Sequence, residues 1–351
     1  MPSDHSDPAL DTLLLPLRDG LLPWPADGAL FLRARDGWPL HRQPLPGLVC
    51  EQGFKPAVDA LRRSGLALSD GDDARRQPLV LVLPPRQRVE ARALLAQAVA
   101  RTAPGGRVLA CMANDEGAKS AQADLARIAG PLQALSKHKC RVFWSAPLDG
   151  TVDPGLAAQW RAADQPQDVV DPASGRIFRS RPGVFAWDRI DPASALLAQH
   201  LPPDLAGHGA DLGAGWGYLA AEVLVRCPAV VALDLYEAEA RALDVARHNL
   251  AGVRDDASLG FHWHDVAAGL PRQYDFIVSN PPFHAQGRAD RPDLGRAFIA
   301  AAAAALRPGG RLWLVANRHL PYEAVLDASF GSVRTAAQRG GFKVVEAVRT
   351  R

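Results

Sequence analysis

The sequence predicts an α/β fold of two tandem Rossmann-like domains, the first of them degenerate. Three observations lead to this prediction. Short apolar runs alternate with helical stretches throughout residues 206–351, as in a parallel sheet covered by helices. A loop with glycine at every second position follows the first of those runs. A framework of Pro-Pro and Pro-Gly-Gly occurs once in each half of the chain, which indicates an internal repeat.

The elements of the second half follow from its apolar periodicity and its turn residues. Four apolar runs have the length of buried strands, and helical stretches follow the first two. The predicted strands include residues 210–212, 230–234, 276–279 and 311–315. One predicted helix begins at residue 218, and the next spans residues 237–249.

The two copies of the repeat differ where chemistry is expected. In each copy a strand ending in two prolines precedes a Pro-Gly-Gly turn and a further strand. Leu83 stands where the second copy has Asn280, and Arg86 stands where it has Phe283. Coincidence is the alternative, because Pro-Gly-Gly turns are common, but two matches in the same order favour duplication. We therefore expect a first half that kept its packing and lost its chemistry.

The segment of residues 146–175 is rich in turn formers and poor in periodic apolar residues, so it predicts a connection between the halves. A boundary near residue 165 gives domains of residues 1–165 and 166–351, both of ordinary size.

Composition limits the class of protein. Of the 351 residues, 48% are hydrophobic and 22% are charged, which is typical of a globular protein with a core. Four scattered cysteines without a C-x-x-C pair argue against a disulfide framework and a zinc site, and they fit a cytoplasmic location. No apolar run predicts a signal peptide or a membrane span. A net charge of +2 is too small to identify a nucleic-acid partner.

The glycine loop predicts a nucleotide site. Alternate glycines between a strand and a helix permit a tight turn and close backbone approach to a ligand. The spacing is G-x-G-x-G, unlike the G-x-G-x-x-G of dinucleotide folds, and an acid precedes it that can contact a cationic amino acid group. Both features favour S-adenosylmethionine over NAD. The predicted cofactor-binding residues of this loop are Asp211, Gly213, Ala214, Gly215 and Gly217.

Two later acids complete the predicted cofactor site. Asp234 lies at the end of the next predicted strand, where an acid can accept both ribose hydroxyls. Asp265 is placed to accept from the adenine 6-amino group, although a plain turn residue is an equal alternative. His262 and His264 alternate nearby, but no third ligand has a suitable spacing, so we expect no metal.

Asn280-Pro281-Pro282-Phe283 follows a buried strand and predicts the reacting centre. Two prolines end the strand abruptly, because neither can donate to a ladder. The Asn280 side-chain oxygen and the Pro281 carbonyl can then accept the two N–H bonds of a planar amine, while Phe283 stacks on its ring or merely fills a hydrophobic gap. The tetrapeptide alone is only suggestive. Together with the glycine loop it predicts a methyltransferase with Asn280, Pro281, Pro282 and Phe283 as catalytic residues and Asn280 also at the cofactor.

Several motifs together resemble the RsmC/RlmG family of ribosomal RNA guanine-N2 methyltransferases. They are residues 114–121, 181–186, 211–217, 280–284 and 315–322. The resemblance implies two tandem class I methyltransferase domains of which only the second is active, with S-adenosylmethionine as cofactor. It implies methylation of a guanine N2 amine in 16S ribosomal RNA, because residues 320–327 and Phe330-Gly331 resemble the small-subunit branch. The partner is then ribosomal RNA or the small ribosomal subunit.

Alternatives stay open at this point. Arg318-His319 resembles the large-subunit branch. The same Asn-Pro-Pro-aromatic motif serves adenine-N6 and protein-glutamine methylation, and a non-catalytic RNA-binding module is a further possibility. The first half is expected to serve stability and RNA recognition. Arg86, Arg88, Arg92 and the basic run at residues 137–141 either contact RNA there or form a solvated face. We expect a monomer without a membrane partner.

Overall fold

The computed structural model describes residues 7–71, 75–282 and 292–350, and Phe283 lies outside them. The chain divides between Gln165 and Pro166 into two compact units.

The first unit alternates strands and helices. Its strands are β1 (Ala29–Leu32), β2 (Leu48–Glu51), β3 (Ala67–Leu68), β4 (Gln77–Val82), β5 (Thr102–Ala113), β6 (Leu132–Lys137) and β7 (Cys140–Ser145). Its α-helices are α1 (Pro8–Leu13), α2 (Leu15–Arg18), α3 (Lys55–Arg63), α4 (Arg88–Ala100), α5 (Ala118–Ala129) and α6 (Pro154–Ala163). Short 3₁₀ turns cover Trp38–His41 and Asn114–Glu116.

The second unit opens with a small antiparallel pair and then repeats the alternation. Its strands are β8 (Gln167–Val170), β9 (Ile177–Ser180), β10 (Gly207–Leu212), β11 (Val230–Glu237), β12 (Ser258–Trp263), β13 (Tyr274–Ser279), β14 (Leu306–Asn317), β15 (Ser332–Arg339) and β16 (Phe342–Val348). Its α-helices are α7 (Pro192–His200), α8 (Tyr218–Arg226), α9 (Ala240–Leu250), α10 (Pro292–Ala305) and α11 (Glu323–Ser329), and a 3₁₀ turn covers Val266–Ala268.

Both units carry the same sheet. The described strand order is β3-β2-β1-β4-β5-β7-β6 in the first unit and β12-β11-β10-β13-β14-β16-β15 in the second. In each sheet the first five strands run parallel, and the seventh strand in chain order is antiparallel to both of its neighbours. The two sheets thus have the same strand order and the same strand directions. This similarity agrees with the internal repeat that the Pro-Pro and Pro-Gly-Gly framework indicated. The predicted fold class is confirmed.

The core of the second unit lies on both faces of its sheet. Phe276, Val278 and Trp313 belong to the apolar cluster on one face, whereas Ile277 and Leu312 belong to the cluster on the other. This alternation follows from the period of two in a strand, and helices on both faces make both sets apolar.

Three helices begin at an Asp-Pro pair. Asp7, Asp153 and Asp191 cap α1, α6 and α7, and each accepts hydrogen bonds from backbone N–H groups of the first turn. The proline that follows each aspartate costs nothing there, since the first N–H of a helix has no intrahelical acceptor. Local chemistry thus sets where α7 starts, which matters for the site described next.

Within the described residues, no helix is long and apolar enough to cross a membrane. The same part of the chain holds no group of three or more His, Cys, Asp or Glu side chains suited to a metal ion.

Candidate active site

A cleft opens at the carboxyl ends of β10 and β13 in the second unit, where ligands bind in open α/β sheets. It is lined by the glycine loop, the start of α7, the start of α8 and the end of β13. The lining residues are Phe185, Ala186, Asp191, Ser194, Gly213, Ala214, Gly215, Trp216, Tyr218, Leu219 and Asn280.

The glycine loop adopts a backbone that other residues rarely adopt. Gly213, Gly215 and Gly217 have φ angles of 72°, 54° and 89°, all in the left-handed region. The N–H groups of Gly213 and Ala214 both donate to the Tyr236 carbonyl, at 2.9 and 3.1 Å. A Cβ added at Gly215 would meet nothing within 4 Å, so the loop is open on its ligand side. The structure thus gathers the predicted loop residues at one strand end.

Asp211 is a buried acid with unused hydrogen-bonding capacity. The side chain of Asp211 has no exposed surface. Among the described residues, neither of its carboxylate oxygens has a partner of normal hydrogen-bond geometry. Burial raises the pKa of Asp211 to about 8, the nearby Glu237 carboxylate adds to that rise, and the Ala220 N–H only partly offsets it. Such a carboxylate is well placed to receive a cation.

Glu237 supplies a second acid at the same place. It is the last residue of β11, and its Oε2 accepts from the Gly215 N–H at 2.7 Å while its Oε1 accepts from the Glu239 N–H at 2.7 Å. Burial raises the pKa of Glu237, and these backbone donors partly offset the rise. Glu237 is not among the predicted site residues, because the sequence pattern placed it in the first turn of the next helix.

Asp234 does not lie at the end of its strand, so its predicted place there is corrected. The strand continues three residues beyond it, and Asp234 pairs with Ala210 inside the sheet. Its carboxylate accepts from the Tyr274 hydroxyl at 2.8 Å and lies 3.1 Å from His262 Nε2. These contacts tie Asp234 to a polar cluster beside β12 and β13, and Glu237 occupies the position that Asp234 was expected to hold.

Asp265 follows the carboxyl end of β12, as expected. Its Oδ1 accepts from the Ala267 N–H at 3.0 Å and so caps the 3₁₀ turn of Val266–Ala268. This is the turn role that the sequence left as the alternative. A contact with adenine stays a prediction.

Asn280 is held by two residues that the sequence analysis did not single out. Its Nδ2 donates to Asp191 Oδ2 at 2.9 Å and to Ser194 Oγ at 2.8 Å. Its Oδ1 is buried and has no hydrogen-bond partner among the described residues. Pro281 beside it is buried and Pro282 is exposed. The side chain therefore presents an acceptor at the cleft.

The first unit lacks each of these groups at the equivalent position. The pairing of β1 with β2 and β4 matches that of β10 with β11 and β13, residue for residue at the strand ends. By that register Phe31, Arg33, Gln52 and Leu83 replace Asp211, Gly213, Glu237 and Asn280, respectively. Arg33 even keeps the left-handed backbone, with φ of 54°.

The basic residues of the first unit separate into two groups. Arg88 and Arg92 both donate to Asp124, at 3.1 and 2.9 Å, so their charges are already paired. Lys137 ends β6, His138 and Lys139 form the turn to β7, and all three are exposed.

Comparisons with known proteins place the chain in a family. Residues 175–346 match the family model described as Methyltransferase small domain. The chain is 32% identical over 326 residues to ribosomal RNA small subunit methyltransferase C of Sodalis glossinidius, covering 91% of this chain and 85% of that protein. It is 34% identical over 232 residues to ribosomal RNA large subunit methyltransferase G of Streptomyces avermitilis, covering 64% of this chain and 58% of that protein.

A solved structure shares the whole fold. The T. thermophilus 16S rRNA N2 methyltransferase RsmC, in complex with AdoMet and guanosine, matches 99% of this chain and 93% of its own, with a TM-score of 0.82 at 24% identity. The resemblance drawn from the motifs is confirmed, and the chain belongs to the ribosomal RNA small subunit methyltransferase C family.

Proposed function

We propose that the second unit transfers a methyl group from S-adenosylmethionine to the N2 amine of a guanine in 16S ribosomal RNA. One observation carries the proposal. Asn280 lines the same cleft as the glycine loop, and its buried amide oxygen Oδ1 has no hydrogen-bond partner within the part of the chain that the structure describes. That acceptor suits the N–H of an exocyclic amine.

The residues of the cleft fit S-adenosylmethionine. Among the described residues, neither buried carboxylate oxygen of Asp211 has a partner of normal hydrogen-bond geometry, which suits the ammonium of the amino acid moiety. Glu237 takes the ribose hydroxyls at the end of β11, and Asp265 takes the adenine amine. Gly215 leaves room for the ligand before α8, whereas Gly217 faces Ala246 of α9 and serves the left-handed turn of the loop. When bound, the cofactor supplies an electrophilic methyl group on a cationic sulfonium.

The chain's own part in the reaction is alignment. The N2 lone pair of guanine is conjugated with the ring, so the free amine is a poor nucleophile. If Asn280 Oδ1 and the Pro281 carbonyl accept its two N–H bonds, the nitrogen can become pyramidal and direct its lone pair at the methyl group. Positioning and electrostatic stabilisation then carry the rate enhancement, and no strong base is needed. Stacking of Phe283 on the base belongs to the same proposal.

The choice of 16S RNA rests on relatives. The Sodalis protein is named a small-subunit enzyme, and the T. thermophilus structure is titled a 16S N2 methyltransferase. A guanine of the large-subunit RNA is the second candidate, because the Streptomyces relative is 34% identical over 232 residues.

The first unit serves stability and RNA recognition in this proposal. Its sheet is complete while its copy of the site has apolar or altered side chains, so packing is what the repeat has kept. The exposed cations of the β6–β7 turn can contact phosphates, which positions RNA without specifying its sequence. The protein acts as a cytoplasmic monomer on ribosomal RNA or the small subunit.

Transfer of labelled methyl groups tests the substrate. Purified 16S RNA, 23S RNA, and small and large subunits are each incubated with the enzyme and labelled cofactor, and the nucleosides are separated. We expect label in N2-methylguanosine from small-subunit material. Label confined to 23S RNA would support the second candidate, and label in methylated adenosine would refute guanine-N2 chemistry.

A further inference from the structure

Asn280 must present one particular end of its amide to be an acceptor, and its neighbours decide which end that is. Asp191 is a carboxylate and can only accept, so the amide atom facing it at 2.9 Å is the nitrogen. Ser194 Oγ takes the second N–H at 2.8 Å. Both amide protons are therefore used, and the oxygen has no protein partner among the described residues.

We propose that Ser194 and Asp191 are positioning residues that lock the Asn280 amide with its oxygen toward the target amine. The proposal rests on the proposed function. Without these two acceptors the amide can rotate by half a turn and set its own NH₂ group against the guanine NH₂ group. Two donors would then face each other, and the alignment on which the reaction depends would be lost.

The two residues that hold the Asn280 amide lie at the start of α7. Asp191 Oδ2 accepts from the Ser194 N–H at 2.8 Å as the cap of α7, in addition to the Asn280 bond. The capping interaction therefore fixes the carboxylate before any ligand enters. Groups that are oriented in advance cost no reorganisation during the reaction.

The first unit keeps the helix-capping aspartate but has no counterpart of the serine that holds the Asn280 amide. The first unit begins α1 with Asp7-Pro8-Ala9-Leu10, where α7 begins with Asp191-Pro192-Ala193-Ser194. The two helices pack on equivalent strands, α1 on β5 and β7, and α7 on β14 and β16. Asp7 still caps its helix, accepting from the Ala9 and Leu10 N–H groups at 3.1 Å.

The serine is absent where the asparagine is absent. Leu10 replaces Ser194 and Leu83 replaces Asn280, and both leucines belong to one apolar cluster of the first unit, with 0% and 1% of their surface exposed. The helix start thus tolerates leucine in place of serine. An aspartate caps the helix in both units. The serine is present only in the unit that has the asparagine, as expected if Ser194 serves to position Asn280.

Ser194→Ala tests the lock without disturbing the cap. Loss of one hydrogen bond to the amide should lower kcat by about tenfold, while cofactor affinity and the midpoint of urea unfolding stay at wild-type values. Gln199→Ala, on the exposed side of the same helix, is the matched control and should keep full turnover. Full turnover in Ser194→Ala overturns the proposal for the serine.

An exchange of donor and acceptor tests Asp191. Asn280→Asp sets two carboxylates against each other and should abolish turnover at neutral pH. Adding Asp191→Asn returns an N–H donor to the pair, and asparagine is an equally good cap. The double variant should recover at least about tenfold in kcat over Asn280→Asp. A residue that only caps the helix gives no recovery, and that result overturns the proposal for the aspartate.

Failure here can be told apart from failure of the proposed function. Asn280→Ala with unchanged turnover would remove the asparagine from the chemistry altogether. An inactive Asn280→Ala beside a fully active Ser194→Ala would remove only the lock.

Discussion

Asp211→Asn should change the pH dependence of stability in the cofactor-free protein and should prevent cofactor binding. The folded-state pKa of Asp211 is raised from 3.8 to about 8, chiefly by burial. Between these values the folded state binds a proton that the unfolded state does not, so the free energy of unfolding falls as pH rises.

The size of the effect follows from the shift. Each pKa unit corresponds to about 1.4 kcal/mol. A pH of 7 lies roughly three units above the pKa of Asp211 in the unfolded state. Through Asp211 alone, the free energy of unfolding of the wild type should therefore be about 4 kcal/mol lower at pH 7 than near pH 4. Asparagine does not titrate, and the variant should lack this slope.

Glu237, whose pKa burial also raises, gives the same sign in wild type and variant alike, whereas two other acids give the opposite sign at lower pH. Burial raises the pKa of Asp124, but Arg92 and Arg88 together lower it further than burial raises it, and Lys343 lowers the pKa of Glu323. Their stabilisation is fully present above their unfolded values and is lost as pH falls through the lower folded values. They therefore change little between pH 5 and pH 8, where the Asp211 slope is expected.

Urea unfolding of wild type and Asp211→Asn at pH 5, 6, 7 and 8 measures the difference, with the exposed Asp255→Asn as control. The gap in unfolding free energy should widen with pH in favour of Asp211→Asn, while the control follows wild type. Calorimetry should also show that cofactor binding to wild type releases close to one proton at pH 7. Parallel stability profiles together with no proton release would refute the argument.

The remaining predictions concern the second acid, the asparagine and the basic turn. Glu237→Gln should weaken cofactor binding by roughly tenfold or more, and Asp234→Asn should weaken it far less; calorimetry that finds the reverse order would restore Asp234 to the site. Asn280→Ala should keep cofactor affinity within a few-fold yet lower kcat by about 10²-fold or more, as measured by single-turnover methyl transfer. Neutralising Lys137 and Lys139 together should weaken RNA binding and reduce its logarithmic salt slope by roughly two; an unchanged slope in filter binding would exclude the turn from the RNA contact.

The fold and the repeat could be predicted because both depend on local patterns. Apolar runs of strand length and the Pro-Gly-Gly turns are visible in any window of the sequence, and the register of the two sheets places Leu83 at the Asn280 position as the pattern suggested. Neither inference needed the order of the strands in the sheet.

The place of Asp234 was predicted wrongly because the predicted end of β11 came three residues too early. Leu235 and Tyr236 continue β11, but a short apolar extension beyond an acid is indistinguishable from the beginning of a loop. Only the pairing of β11 with β10 as far as Tyr236, and with β12 as far as Glu237, shows where the strand ends. Glu237, which we propose as the acid at the ribose, was therefore assigned to a helix although it ends the strand.

The lock on Asn280 lay beyond sequence reasoning for a different reason. Asp191 and Ser194 are 89 and 86 residues away from Asn280 along the chain. Asp191-Pro192 is recognisable as a helix start, but nothing local indicates that the same carboxylate also accepts from a side chain at the end of β13.

Identification of the methylated nucleoside tests the central claim most directly. Wild type and Asn280→Ala are incubated with small-subunit RNA and labelled cofactor, and the digested RNA is analysed by mass spectrometry. We expect N2-methylguanosine at one position with wild type and at least about a hundredfold less with Asn280→Ala. Methylation at any other atom, or equal yields from the two proteins, would contradict it.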